Sequence, residues 1–501
     1  MVIMAIAKKR WSHDSVVDKI DKNIERETKR DHCARFDERV VIKPTHNFIH
    51  KNEYNKLQAI CYYYFRKTLM KRDILYSPLS AKRTKIMLLG AGELGKEVII
   101  EAMRLGFFTI AVDRYEGAPG QQVAHRAYTG NLKDLGFLRS VVEREKPDYI
   151  VPEIEAINLD GLFDLEKEGY NIIPNARATY TAMQRERIRE LIVKTGVPVS
   201  QYYYANSLAE LKKACRKAGF PCWVKAIQDS SGSGSSRVNK LEDIEKAWEK
   251  ARAEARGSAD KLIVEKNIDF DLEVTELVIR HFVNGKIKTS FCHPVGQYQT
   301  RGGDYHSSWQ LAEISETAEK KVYEIAKKIT DALGGVGVFG CELFVKGDMV
   351  FANECSARPH DTGMVTFASH QIGFSEAALH VRAITGLPIP TKKHLGFDVV
   401  PILTPAASHV ILSPTEGFDP GFKGLTEALQ EEGVTVLLFG KNEAFLNRRL
   451  GVVLATDPDV QKAKEKAEIA AHNIEVSTRQ NPKWKSQLSR EKHLFRTAKK
   501  R

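Results

Sequence analysis

A short apolar run, KIMLLG at 85–90, meets a glycine turn, a helical pattern through AGELGKEVIIEAMRLG, and a second apolar run, FFTIAVD at 107–113. A strand, a tight turn, a helix and another strand in that order predict a parallel sheet covered by helices on both faces. A later strand, DYIVPEIE, closes on acidic residues. The ligand edge of such a sheet is the carboxyl end of its strands. This unit is expected to span residues 85–185.

The pattern changes downstream. Residues 186–385 hold the strand FPCWVKAI, a Gly/Ser loop, the helix LEDIEKAWEKARAEA and the strand KLIVEKNI. A hairpin follows with Asn284-Gly285 at its turn, then the helix SETAEKKVYEIAKKITDALG and two strands around Lys346-Gly347-Asp348. Antiparallel sheet flanked by helices is expected here. Residues 386–478 carry three more strands, AASHVILSP, TVLLFG and RLGVVLAT, and the helix VQKAKEKAEIAAHNIE. The expectation is therefore an α/β and α+β multidomain protein. It has a Rossmann-like parallel sheet, a larger central domain and a small β-rich C-terminal domain. No internal repeat is evident.

Charge is concentrated at the ends. The net charge is +12, yet residues 1–85 carry +10, residues 479–501 carry +8, and the stretch between sums to −6. Residues 1–84 show no sustained period, and Met70 offers an alternative start shortly before order begins. The basic extension and tail read as solvated arms rather than a nucleic-acid surface. No run approaches the roughly 20 apolar residues of a membrane span. Seven cysteines, odd in number and without a CxxC pair, exclude a disulfide framework and a cysteine zinc site. Reduced thiols in a cytoplasmic protein are expected.

GAGELG at 90–95, followed by Asp113 about twenty residues on, fits the dinucleotide fingerprint. Glu93 argues against it, because a carboxylate inside that loop would repel a pyrophosphate. It suits an amine or a ribose hydroxyl. Glu153 and Glu155 end a strand, and alternation sends them to opposite faces. Lys225 precedes the loop 230–236, and an ammonium with backbone N–H groups can cover a polyphosphate. Glu342 and Glu354 flank a tight turn and can stand side by side on adjacent strands. A divalent cation such as Mg²⁺ would relieve their repulsion. Asn353, Arg358, His360 and Asp361 crowd the same segment. Lys441, Arg448 and Arg449 form a basic group suited to a phosphate.

Lysine, glycine loop, hinge acid and paired carboxylates in that order resemble the ATP-grasp superfamily. Longer motifs, among them LLGAGELGKEV, KPDYIVPEIEAI, GDYHSSWQ, FGCELFV, RPHDTGMVT and RRLGVVLAT, resemble the formate-dependent phosphoribosylglycinamide formyltransferases from about Lys85 to residue 475. The resemblance implies that ATP phosphorylates formate and that the amine of glycinamide ribonucleotide takes the formyl group. It implies Mg²⁺, ATP as co-substrate and a homodimer. By motif it assigns ATP to Arg185, Lys225, Ser230, Ser231, Gly232, Ser233, Gly234, Ser235, the hinge Glu265, Lys266, Asn267 and Ile268, and Glu273. It assigns the metal to Glu342 and Glu354, and stabilisation of the transferring phosphate to Arg358. The ribonucleotide falls to Glu93, Leu94, Glu153, Asp361, Lys441, Arg448 and Arg449. The loop departs from the family's SSSGKGQ, with Ser233 where the lysine would stand. That leaves room for a changed acid substrate. The competing expectations are another ATP-grasp ligase using bicarbonate, a binding protein with basic arms, and a dehydrogenase.

Overall fold

The computed structural model describes residues 74–154, 156–227, 234–254, 261–299 and 305–480. The basic extension before residue 74, Glu155, the loop residues Ser230, Ser231, Gly232 and Ser233, and the tail beyond Gln480 lie outside the described residues.

Four parallel strands form the first sheet, in the order 126–129, 108–113, 85–89, 149–152. The strand Lys85–Leu89 is apolar at successive positions because both faces are covered. Ile86 and Leu88 enter one core with Val98, Ile99 and Ala102 of the helix Glu93–Arg104. Met87 and Leu89 enter the other with Leu138, Val141 and Val142 of the helix Leu135–Glu145. The helix Glu376–Thr385 also packs on the first face through Ala377, Val381 and Ile384. The edge strand Arg126–Thr129 carries no apolar alternation and is largely exposed, so periodicity does not reveal it.

Next comes a four-stranded antiparallel sheet, ordered 202–205, 262–266, 222–226, 236–238. Cys222, Val224 and Ala226 point into its core, which leaves Trp223 and Lys225 on the opposite face.

The largest sheet has eleven strands and is built around the long strand Leu272–Val283. Asn284, at positive φ, and Gly285 turn this strand into Lys286–Phe291, as expected. Gly337–Lys346 pairs with its other edge and with Met349–Ser356. The three C-terminal strands read from the sequence join the central sheet, while a separate three-stranded sheet is formed by 443–444, 417–423 and 475–479. Ala406–Leu412 pairs with Tyr305–Gln310, so strands 449–456 and 434–438 extend the central sheet. A further strand, Glu475–Arg479, pairs with Gly417–Lys423 where a polar tail was expected. Val476 packs beside Ile411 and Val453 and holds it there. The five described cysteines are free and buried. No helix among the described residues is long and apolar enough to cross a membrane.

Candidate active site

The glycine turn is locked from below. Gly90 has φ +104°, and a Cβ on it would stand 2.7 Å from the Ile154 side chain. Asp113 is not presented to a ligand. Its carboxylate accepts the Ala91 N–H at 2.7 Å and the Arg114 N–H at 2.7 Å. This use of the acid removes the ribose contact on which a dinucleotide reading depends. At Gly92, by contrast, a Cβ would meet nothing within 4 Å. That position is open to an incoming group at the start of a helix, where backbone N–H groups are unpaired.

Glu93 opens that helix and is met from the C-terminal region. Lys441 Nζ donates to Glu93 Oε1 at 2.8 Å, and Arg449 lies 3.8 Å from the same oxygen. Arg449 also pairs with Asp361 Oδ2 at 2.6 Å. Burial pushes both carboxyls up, but the cations outweigh it. Lys441 and Arg449 hold Glu93 below its ordinary value, and Arg449, His360 and Arg358 hold Asp361 at about 2. Glu153 faces Arg358 at 3.8 Å. Leu94 is packed with Met364, Phe439, Val452 and Leu454, so its side chain is core and its backbone alone is left for a ligand. Arg448 donates to the Glu443 carbonyl at 2.8 Å and stacks on Phe445.

The second group spans two sheets. Lys225 Nζ pairs with Glu265 Oε2 at 2.6 Å, and Arg189 donates to the other oxygen. Burial opposes ionisation of Glu265, yet Lys225 and Arg189 hold it at about 2. Glu265 therefore fixes the ammonium of Lys225 rather than meeting a ligand through its side chain. Beyond it, the Ser200 hydroxyl donates to the Lys266 carbonyl at 2.5 Å, and Trp223 Nε1 donates to Asn267 Oδ1 at 3.1 Å. These bonds hold the segment Lys266, Asn267 and Ile268 in place at the cavity wall. Gly234 turns with φ +68°, and the Ser235 carbonyl accepts Lys250 Nζ at 3.1 Å.

Glu342 and Glu354 stand directly opposite each other in the antiparallel pair. Glu342 accepts from Asn353 Nδ2 at 3.1 Å and meets His360 Nε2 at 2.9 Å, while Arg185 lies 3.4 Å from Glu354. Glu273 comes from the adjoining strand. Burial and the charge of Glu342 push its carboxyl up to about 8. Three carboxyl groups thus converge where Lys225 reaches across from the other sheet. An oxygen-rich group with surplus negative charge fits Mg²⁺ bound together with phosphates.

Most of the second group, with Arg358, Asp361 and Arg449 of the first, borders one cavity of about 1130 Å³. Its wall runs from Trp223, Lys225 and the hinge through Arg185, Glu273, Glu342 and Glu354 to Arg358, Asp361 and Arg449. The volume exceeds the roughly 300–1,000 Å³ usual for one small ligand. Glu93 and Lys441 stand behind Arg449. Sequence reading missed Arg189, although it follows Arg185 by four residues, the helical neighbour spacing. It also missed Lys246 and Lys250, four apart on the helix Ile244–Glu254, which line the cavity beside Ser235.

Comparison with known proteins adds three family matches. An ATP-grasp domain matches residues 190–374, a ribonucleotide synthetase preATP-grasp domain matches 83–183, and a "PurT, C-terminal" domain matches 406–474. The formate-dependent phosphoribosylglycinamide formyltransferase of Pyrococcus abyssi is 60% identical over 426 residues, covering 85% of this chain and 99% of the relative. The enzyme of the same name from Methanocaldococcus jannaschii is 49% identical over 401 residues, 80% of this chain and 99% of the relative. Among solved structures, glycinamide-RNase-transformylase T from Mycobacterium tuberculosis superposes with TM-score 0.64 at 30% identity, covering 78% of this chain and all of that one. N5-carboxyaminoimidazole ribonucleotide synthetase from Thermotoga maritima gives TM-score 0.67 at 28% identity, covering 79% and 100%.

Proposed function

Because this chain belongs to the formate-dependent phosphoribosylglycinamide formyltransferases, we propose that its cavity joins two half-reactions. A formate oxygen takes the γ-phosphoryl group of ATP, giving formyl phosphate and ADP. The amine of glycinamide ribonucleotide then attacks the formyl carbon, the bond from that carbon to the phosphate oxygen breaks, and the amine loses a proton. Formyl-glycinamide ribonucleotide and phosphate leave. The observation that carries this reading is the shared wall. Glu342 and Glu354 border the same cavity as Asp361 and Arg449. An acyl phosphate formed at one end therefore has only one cavity to cross to reach the amine, which shortens its exposure to water.

In this reading the hinge Glu265, Lys266, Asn267 and Ile268 holds the adenine edge mainly through backbone. Glu273 meets the ribose hydroxyls. Lys225 and Arg185 bind the phosphates, with Gly234, Ser235 and the preceding loop residues. Glu342 and Glu354 hold Mg²⁺, which when bound neutralises phosphate charge during transfer. Arg358, poised between Glu153 and Asp361, stabilises the phosphoryl group in flight. Lys250, fixed on the Ser235 carbonyl, supplies charge beside the loop position where Ser233 replaces a lysine. Glu93, Glu153 and Asp361 take the ribonucleotide's amine and hydroxyls, and Lys441, Arg448 and Arg449 its phosphate. Ligand binding exchanges the internal pairs Lys441–Glu93 and Arg449–Asp361 for contacts of the same sign. The reaction belongs to cytoplasmic purine synthesis.

ADP release with Mg-ATP, formate and glycinamide ribonucleotide, each omitted in turn, tests the reading. Release requiring all three is expected. Release supported by bicarbonate in place of formate would move the chain to the carboxylating ligases. The family resemblance implies a homodimer, which sedimentation of the full chain tests.

A further inference from the structure

We propose that the C-terminal region holds a second metal site, for a transition ion of the Zn²⁺ class, formed by His409, Glu468 and His472. His409 lies on the strand Ala406–Leu412, and Glu468 and His472 lie on the helix Val460–His472 that covers it. One ligand atom from each falls within 4.8 Å of the others.

Three features separate this group from chance. The first is the tautomer of His409. Its Nδ1 stands 3.1 Å from the Val410 carbonyl, which can only accept, so the proton is on Nδ1. Nε2 therefore carries the lone pair, the state in which a histidine binds a metal while its other nitrogen anchors the ring. The second is that this Nε2 is buried with no hydrogen-bond partner among the described residues. His409 is only 6% exposed, so water does not readily satisfy it. The third is spacing. Glu468 and His472 are four residues apart on one helix face, which stacks their side chains over the buried ring. His306, from the adjoining strand, packs edge-on to His409 at 4.4 Å.

Both helix ligands are exposed, whereas His409 is fixed. Ligand atoms around a tetrahedral ion sit roughly 3.3 Å apart, given metal–nitrogen distances of about 2.0–2.1 Å. Rotamer changes at Glu468 and His472 close the remaining gap. Two imidazoles and one carboxylate suit Zn²⁺, Co²⁺ or Ni²⁺ and not Mg²⁺. The site is also separate from the active cavity. Tyr305 and Ser408 bond to each other at the hydroxyl level, and Tyr305 lines the cavity. Alternation sends their neighbours His306 and His409 to the opposite face of the sheet. An ion there would clamp the helix to the back of the strands that carry the ribonucleotide site.

A second histidine group provides a built-in control. His293 Nδ1, His394 Nε2 and the Tyr323 hydroxyl all meet the same Glu319 oxygen, at 3.3, 3.1 and 2.6 Å. The ligand atoms of that cluster also lie within 4.8 Å of one another, but both of its imidazoles already meet the carboxylate, whereas Nε2 of His409 meets no polar group among the described residues.

The test uses the full chain stripped with a chelator and titrated with Co²⁺, whose visible absorption reports a low-coordinate nitrogen and oxygen site. A saturating band is expected. His472→Ala and Glu468→Gln should weaken binding at least about tenfold, the loss typical even of outer-shell changes at metal sites, whereas His394→Ala should leave it unchanged. Zn²⁺ should raise the melting temperature of the natural chain and not of His472→Ala. Both helix positions are exposed, so these variants fold. A band of equal affinity in His472→Ala, or one lost in His394→Ala, would overturn the assignment.

Discussion

The two ends of the cavity carry charge in opposite ways. At the end proposed for the nucleotide, Glu273, Glu342 and Glu354 come together, and burial with the charge of Glu342 drives the carboxyl of Glu273 up to about 8. At the ribonucleotide end, each acid has its own cation: Glu93 has Lys441 and Asp361 has Arg449, and both carboxyls are held low. At the first end His360, Lys225 and Arg185 hold Glu342 low, and Glu273 beside it is the carboxyl left without its own cation. The second is complete by itself and must trade internal pairs for ligand pairs.

The sharpest way to break the contrast is to remove a carboxylate from the first end. Glu342→Gln or Glu354→Gln should lower kcat/KM on the order of 10²–10³-fold, the scale of losing a main electrostatic stabiliser. A loss under tenfold would show that the cation is held elsewhere. Steady-state ADP release at varied Mg²⁺ measures it.

Lys225→Met comes next. It leaves Glu265 buried against Arg189 alone, and breaking a buried pair this way costs about 3 kcal/mol or more. Urea unfolding should show the loss. Adding Glu265→Gln should restore much of the stability but not ATP binding, which separates the structural role of the pair from the functional one.

At the other end, Lys441→Ala should raise the KM for glycinamide ribonucleotide by roughly tenfold or more, as expected for truncating a desolvated charge partner. The KM for ATP should hardly move. Equal rises in both would erase the distinction between the two ends.

Acid and base should also tell them apart. Asp361 is ordinarily at 3.8 and is held at about 2, so the stability it adds is complete above 3.8 and is lost as pH falls toward 2. Glu273 has the opposite sign. Its folded value of about 8 exceeds the ordinary 4.5, so its contribution is complete below 4.5 and is lost as pH rises through 8. In chelator-treated protein, Glu273→Gln should flatten the decline on the alkaline side, and melting temperature against pH reads it.

Much of this arrangement is legible in the sequence. The buried parallel strands appear as unbroken apolar runs, and the Asn284-Gly285 and Lys346-Gly347-Asp348 turns stand out between strands. Counting across the second turn sets Glu342 opposite Asn353, and the bulge between Glu342 and Leu343 brings Glu354 into that place instead. Other features are not legible, for physical reasons. Asp113 has the spacing of a ribose acid, yet its carboxylate closes the glycine turn, and no one-dimensional pattern distinguishes the two uses. Leu94 sits in a ligand motif but serves the core. The strand 305–310 mixes Tyr, His, Ser, Trp and Gln, because one face lines the cavity and the other meets a helix. Without it, the link from the central to the C-terminal strands cannot be seen. Arg189 acts through Glu265, a partner 76 residues away.

The smallest expected effect concerns the glycine loop. Ser233→Lys should change the KM for ATP by less than about fivefold, the scale of a solvated charge interaction. Lys250→Ala should raise it further than that. The reverse order would mean that the loop position, not the helix, carries the missing charge.

The central claim is that the two half-reactions are joined by an acyl phosphate. Formate carrying ¹⁸O in both oxygens tests it most directly. Attack of a formate oxygen on ATP, followed by cleavage at carbon, leaves one labelled oxygen in the released phosphate and one in the formyl product. Mass spectrometry of the phosphate should find one ¹⁸O per turnover. Phosphate without label would contradict the account.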